Sequence, residues 1–327
     1  MVSAAGTQYA ADFSDVRDAA ARIAPYAHRT PVMTCAALDE MAGRKLFFKC
    51  EPLQKGGAFK FRGACSAVMK LDNASTRRGV VTHSSGNHAQ AIALAAKVRG
   101  IAAHVVMPEN APRVKKAAVE GYGARITFCE PTQKAREQAA AQVVKHTGAI
   151  YIPSYDHADI IAGQGTAALE LLDEQPELDA VLVPVGGGGL LAGTCLASHG
   201  VKPEIALFAG EPAGADDAAR SLTAGDRVTD NPPPTTIADG LLMTLGELTW
   251  PIVRDHVENI FTVTDEQIID AMRVIWQRMK ILIEPSAAVA VAAVLDDAFK
   301  SLRGVERVGV ILTGGNVDLD RLPWMET

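Results

Sequence analysis

The run Ala180-Val181-Leu182-Val183-Pro184-Val185-Gly186-Gly187-Gly188-Gly189 decides the fold. An unbroken apolar stretch reads as a strand covered on both faces, the kind that a parallel sheet buries between helices. Four glycines then carry the chain into a helix. One glycine suffices for a tight turn. Four leave backbone N–H groups able to converge on an anion, and the start of the helix adds a favourable dipole. Phosphate binding is therefore expected at Gly186, Gly187, Gly188 and Gly189. Gly187-x-Gly189-x-x-Ala192 also loosely satisfies a dinucleotide fingerprint, with Glu211 where a ribose ligand belongs. A nicotinamide-dinucleotide oxidoreductase is thus a rival reading.

Strands of the same kind recur around this run. Downstream lie Ile205 to Phe208, Ile260 to Val263, two helices, and the terminal strand Val308 to Leu312. Upstream, residues 79–155 alternate β-branched runs with alanine-rich amphipathic ones: Val80 to Thr82, a helix from Asn87 to Val98, His104 to Met107, a helix opened by Pro112, Arg125 to Phe128, a helix from Thr132 to Lys145, and Ile150 to Ile152. This βαβαβαβ unit predicts a small parallel-sheet domain over 79–155. It would be inserted in a large domain of 1–78 and 156–327, because Leu46 to Lys49 has too little material around it for a separate core. The triple-proline stretch Asp226 to Thr236 reads as an irregular excursion.

A length of 327 residues allows about two domains. The net charge of -6, with no basic run, argues against a nucleic-acid partner. Five cysteines without a C-x-x-C pair argue against a disulfide framework or zinc site and for a reducing compartment. No signal or transit peptide is recognisable, and no apolar stretch is long enough to span a bilayer. A cytoplasmic enzyme or binding protein is expected.

Lys60 is the chemical focus. In Ala58-Phe59-Lys60-Phe61-Arg62 its stem is set between aromatics, and desolvation lowers an amine's pKa toward nucleophilic use. Ser84-Ser85-Gly86-Asn87-His88 ends a strand and opens a helix; it could hold a carboxylate or simply cap the helix. Thr313-Gly314-Gly315-Asn316 follows the last strand, at the edge where open α/β sheets bind ligands. The dinucleotide reading leaves Lys60, the serine motif and Thr313 without roles.

With Phe47-Phe48-Lys49-Cys50-Glu51, Ile237-Ala238-Asp239-Gly240, Ile283-Glu284-Pro285 and Gly314-Gly315-Asn316-Val317-Asp318, these segments form an ordered series over nearly the whole chain. The chain resembles the fold-type II pyridoxal phosphate enzymes, in particular the serine racemase and serine/threonine dehydratase group. The resemblance implies an α/β fold of the tryptophan synthase β type, with two mainly parallel sheets flanked by helices, and a homodimer.

It further implies that Lys60 forms the Schiff base with the cofactor and Phe59 lies against its ring. Gly186 to Gly189 would cradle the phosphate and Asn87 would bond the ring hydroxyl. Gly240 and Glu284 would also belong to the cofactor site, and Thr313 would face the pyridine nitrogen. A neutral hydroxyl there does not hold a proton on that nitrogen. The ring is then a weaker electron sink, which favours expulsion of a β-leaving group. Lys60 and Ser85 would be the acid/base pair on opposite faces of Cα, and related threonine dehydratases commonly have alanine at the Ser85 position. Ser84, Ser85, Asn87 and His88 would bind the amino-acid substrate.

Arg136 matches an arginine that can reach a second carboxylate, which makes a 3-hydroxyaspartate ammonia-lyase the first alternative; a solvated surface arginine is the plain reading. Glu211, the Ala215 carbonyl and Asp217 match a divalent-cation site suited to Mg²⁺, with Ca²⁺ or Mn²⁺ as alternatives, although acidic residues at a helix start need no metal. Cys35-Ala36-Ala37 and Lys55-Gly56 stand where vertebrate relatives carry nucleotide-binding hydroxyls, so strong ATP activation is not expected.

Overall fold

A computed structural model describes residues 8–111 and 113–325 of the chain. In order, the first elements are α1 (Phe13–Ile23), β1 (Val32–Met33), α2 (Ala36–Ala42), β2 (Lys45–Cys50), α3 (Lys60–Lys70) and α4 (Asn73–Thr76). Next come β3 (Val80–His83), α5 (Asn87–Arg99), β4 (Ala103–Pro108), α6 (Arg113–Gly121), β5 (Arg125–Cys129), α7 (Gln133–Thr147) and β6 (Ile150–Tyr151). They are followed by α8 (Ala158–Glu174), β7 (Ala180–Pro184), α9 (Gly189–Val201), β8 (Ala206–Pro212) and α10 (Asp217–Ala224). The chain ends with α11 (Trp250–His256), β9 (Asn259–Val263), α12 (Asp265–Met279), α13 (Pro285–Leu295), α14 (Asp297–Lys300) and β10 (Arg307–Leu312). Pro112, expected to open a helix, lies outside the described residues.

Among the described residues ten strands form two sheets. One has the order β1-β2-β10-β7-β8-β9, the other β5-β4-β3-β6. Every pairing is parallel except β1 with β2. The last strand, β10, thus returns to lie between β2 and β7, and it pairs with β2 from Arg307↔Lys45 to Leu312↔Cys50.

The continuous apolar strands are explained by two cores, one on each face. Val181 and Val183 of β7 enter a core with Leu171 of α8 and Leu191 of α9. Ala180 and Leu182 enter the opposite core with Val289 of α13 and Ile275 of α12. The strand alternates, but both faces are covered, so both residue sets are apolar. Each fully buried valine or leucine contributes roughly 1.5–3 kcal/mol. In the smaller sheet β4 is buried throughout, whereas the edge strand β5 is largely exposed.

Glycines let three helices meet backbone to backbone. A Cβ on Gly163 of α8 would stand 2.6 Å from Gly63 Cα of α3, and one on Gly193 of α9 would stand 2.6 Å from the Gly165 nitrogen of α8. These crossings fix α3, and with it the Lys60 backbone at its first position.

Candidate active site

Lys60 lies at the junction of the two sheets. It is half-buried, with its Nζ 5.0 Å from the Phe59 ring centroid, and it donates to the Ser154 carbonyl at 2.9 Å. Burial pulls the amine down to about 8, against the opposing pull of the Glu284 carboxylate. The Phe59 N–H donates to the Thr313 carbonyl at 2.9 Å, and Ala58 pairs with Gly314, so the lysine segment is strapped to the end of β10.

Beneath it runs a buried ionic network. Arg62 grips Glu51 through Nε and Nη2, each at 2.8 Å, and reaches Glu170 through Nη1 and Nη2, also at 2.8 Å. Lys49 adds a bond to Glu170 at 2.7 Å. Burial opposes the Arg62 charge, but the two carboxylates outweigh it and hold the guanidinium protonated.

A polar chain crosses from the small sheet to the large one. Asn316 Nδ2 donates to Asn87 Oδ1 at 2.9 Å, and Asn87 Nδ2 donates to Glu284 Oε1 at 2.7 Å. The Gly240 N–H donates to Ser286 Oγ at 2.9 Å, beside Glu284 at the start of α13. A Cβ on Gly186 would stand 3.0 Å from Leu241 Cα, which brings the glycine loop against the same segment. The structure therefore collects Phe59, Lys60, Asn87, Gly186, Gly240, Glu284 and Thr313.

The glycine loop opens α9 with no side-chain cap. Gly188 has φ +86°, and a Cβ there would meet Leu245 Cδ2 and Thr249 Oγ1 at 2.8 Å. A Cβ on Gly187 would fall 2.4 Å from the Tyr155 ring, and one on Gly189 would meet the Tyr155 backbone at 3.0 Å. A side chain at Gly187 or Gly188 would force its neighbours to move, one at Gly186 or Gly189 would crowd them, and the uncapped turn suits an anion.

The serine motif starts α5, whose N-cap is Gly86 without a side-chain bond. Capping by Ser84, Ser85 or Asn87, the plain alternative, is absent. Ser84 Oγ instead accepts the Gly86 N–H at 3.3 Å. His88 is buried; its Nε2 lies 3.3 Å from the Ile152 carbonyl, to which it donates, and its Nδ1 has no partner among the described residues. Burial, aided by Lys60, pushes its pKa down to about 3, so the ring is neutral.

Arg136 stands apart from this group, in the first turns of α7, electrostatically coupled to His83 just before the serine motif. It is half-buried, and its Nε is buried without a partner among the described residues. A wholly solvated arginine is thus not what the fold provides.

Glu211 also lies outside the Lys60 cluster. Its carboxylate is fully buried and accepts the Ala218 and Ala219 N–H groups at 2.9 and 2.8 Å. Burial pushes it up to about 8 and also raises Asp217, whose Oδ2 accepts the Leu245 N–H at 3.0 Å. Among the described residues no group of three or more His, Cys, Asp or Glu is placed to hold a metal. Glu211 and Asp217 would need the Ala215 carbonyl and water to complete a shell.

Several contributors had no signal in the sequence. Ser154 acts through its backbone, and Tyr155 and Thr249 through contact with the glycine loop; Asn316 differs, since it ends the run Thr313-Gly314-Gly315-Asn316. No helix among the described residues is long and apolar enough to cross a membrane.

The family described as "Pyridoxal-phosphate dependent enzyme" matches residues 23–314. A serine racemase of Arabidopsis thaliana is 50% identical over 318 residues, covering 96% of each chain. A beta-hydroxyaspartate dehydratase of Paracoccus denitrificans is 49% identical over 316 residues, covering 97% of this chain and 99% of its own. The solved structure of maize serine racemase superposes with a TM-score of 0.94 at 49% identity, covering 95% of each chain. The dinucleotide reading of the glycine loop is left without support, and the chain belongs to the pyridoxal-phosphate dependent enzymes.

Proposed function

We propose that this enzyme removes water from L-serine, and from L-threonine, to give the 2-oxo acid and ammonia, and that it also interconverts the serine enantiomers. The observation that carries the reading is the lysine of depressed pKa, Lys60, at the junction with the uncapped helix start that follows Ser84 and Ser85. The serine racemase relatives support it.

The residues present fit pyridoxal phosphate. The glycine loop offers an uncapped helix start for its phosphate. Phe59, Asn87, Gly240, Glu284 and Thr313 would surround the ring, and Lys60 supplies the amine. When bound, the cofactor supplies an electron sink that acidifies the substrate's Cα–H bond.

The protein groups do the rest. N–H groups at the start of α5 receive the substrate carboxylate, helped by the helix dipole. Lys60 takes the Cα proton from one face. Ser85 gives or takes a proton at Cα on the opposite face, which inverts the centre. In elimination the Cα proton and the β-hydroxyl leave as water, and one water is regained when the amino group is released as ammonia. Neutral His88 adds no charge that would compete for the carboxylate.

Arg136 favours a second reading, a 3-hydroxyaspartate ammonia-lyase giving oxaloacetate, because a partly buried guanidinium with an unpartnered Nε suits a second carboxylate. The hydroxyaspartate relative supports it. Competition among equal concentrations of L-serine, L-threonine and 3-hydroxyaspartate separates the two. Pyruvate with D-serine is expected; oxaloacetate formed far ahead of pyruvate overturns the serine reading.

The same proposal includes a divalent cation, Mg²⁺ for preference, on Glu211, Asp217 and the Ala215 carbonyl. It also includes a small domain of 79–155 inserted in a large domain of 1–78 and 156–327, a homodimer, and a cytoplasmic location.

A further inference from the structure

We infer that Asp156 is a positioning residue for the cofactor phosphate, acting through a turn at residues 245–249 that it holds from across the chain. The inference rests on the reading that the glycine loop receives that phosphate. Three successive N–H groups converge on the Asp156 carboxylate: Glu247 at 3.1 Å to Oδ2, Leu248 at 2.8 Å and Thr249 at 3.3 Å to Oδ1. Bonds from N–H groups to an ionised carboxylate are among the stronger kinds, and three of them fix a turn rather than one atom.

That turn in turn holds the glycine loop. The Gly246 N–H donates to the Gly187 carbonyl at 3.3 Å, and Thr249 Oγ1 donates to the same carbonyl at 2.9 Å. Thr249 is fully buried. Directing the Gly187 carbonyl toward the turn fixes the adjoining peptide, and so aims the N–H groups at the start of α9 the other way. Gly246 must itself be glycine, since a Cβ there would lie 2.1 Å from Asp156 Oδ1.

Asp156 sits in a strap that touches Lys60, the glycine loop and the small sheet. Ser154 receives the Lys60 amine, and the Tyr155 ring lies on Gly187. Just before them, the Ile152 N–H donates to the Val81 carbonyl of the small sheet. Asp156 is the member of this strap that locks the far side of the glycine loop.

The test titrates the apoenzyme of each variant with pyridoxal phosphate, following absorbance and the ³¹P resonance of the bound phosphate. Asp156→Asn keeps the shape but turns an amide donor toward N–H groups. Its dissociation constant for the cofactor should rise about tenfold or more, the loss of roughly one charge-assisted bond, and the ³¹P signal should move. Asp156→Glu should recover part of the affinity. Thr249→Val should weaken binding likewise, Thr249→Ser should not, and the Asp156→Asn/Thr249→Val double variant should lose less than the product of the single losses, because both act on one carbonyl.

Unchanged cofactor affinity in Asp156→Asn overturns the inference, as does full multiplication of the two losses. Equal falls in apo and holo melting temperature with unchanged ³¹P position also overturn it, since that marks a general structural role. If Asp156→Asn does not fold, the Thr249→Val and Thr249→Ser pair decides. Gly188→Ala serves as reference: should it leave affinity unchanged, the phosphate reading itself fails; should it weaken binding while Asp156→Asn does not, only the role of Asp156 fails.

Discussion

Lys60 is held between two opposing influences, burial that favours the neutral amine and the Glu284 carboxylate that favours the ammonium. Burial wins. The sign of the pH effect follows: the amine is protonated below about 8 and becomes nucleophilic as pH rises through that value, well before an ordinary lysine does. Competitive acetylation of the apoenzyme, read by mass spectrometry, should show Lys60 half-reactive near pH 8 while surface lysines lag; a profile matching the surface lysines would refute the burial argument. Ser85→Ala should abolish enantiomer exchange of serine while retaining pyruvate formation, because only the opposite-face proton transfer is lost. Equal loss of both would deny Ser85 that role. Lys60 was legible because its aromatic and small neighbours are adjacent in sequence. Asp156 was not, because Glu247, Leu248 and Thr249 come to it only through the fold.

At the scale of elements, the expected strands were legible to within a residue or two at most ends, most of them because burial on both faces leaves a continuous apolar run; the two-residue β1 (Val32–Met33) left no such signal. β8 is longer than the expected Ile205 to Phe208 because it keeps pairing with β9 as far as Pro212↔Val263. The helix crossings were not legible, because nothing in sequence couples Gly63 to Gly163 or Gly165 to Gly193. Their rigidity yields a prediction. Gly163→Ala forces a methyl group within 2.6 Å of the Gly63 backbone, so overpacking should cost about 1–3 kcal/mol or more and lower the urea midpoint. Gly121, in helix α6, faces open space at ordinary φ, and Gly121→Ala should be neutral or stabilising by up to about 1 kcal/mol. Equal responses at the two positions would show that the α3–α8 contact does not constrain the site.

The molecule as a whole places its chemistry where segments following both sheets meet, and the turn at 245–249 ties the proposed cation site to that junction. Leu245 donates its N–H to Asp217, one proposed metal ligand, and its side chain lies where a Cβ on Gly188 would be. Glu211 and Asp217 are buried carboxylates with raised pKa, and no lysine or arginine is paired with Glu211 by a salt bridge among the described residues. A bound divalent cation would favour the ionised carboxylates that burial disfavours, and would stiffen Asp217. Since Asp217 holds Leu245, and the next residues hold Gly187, chelation should propagate to the phosphate loop. Removing divalent metal with EDTA should lower the melting temperature and weaken cofactor binding together, and Mg²⁺ should restore both. Glu211→Gln should start from a lower cofactor affinity and no longer respond to EDTA or Mg²⁺. A protein whose melting temperature responds to Mg²⁺ while its cofactor affinity does not would place the cation at a site mechanically separate from the turn.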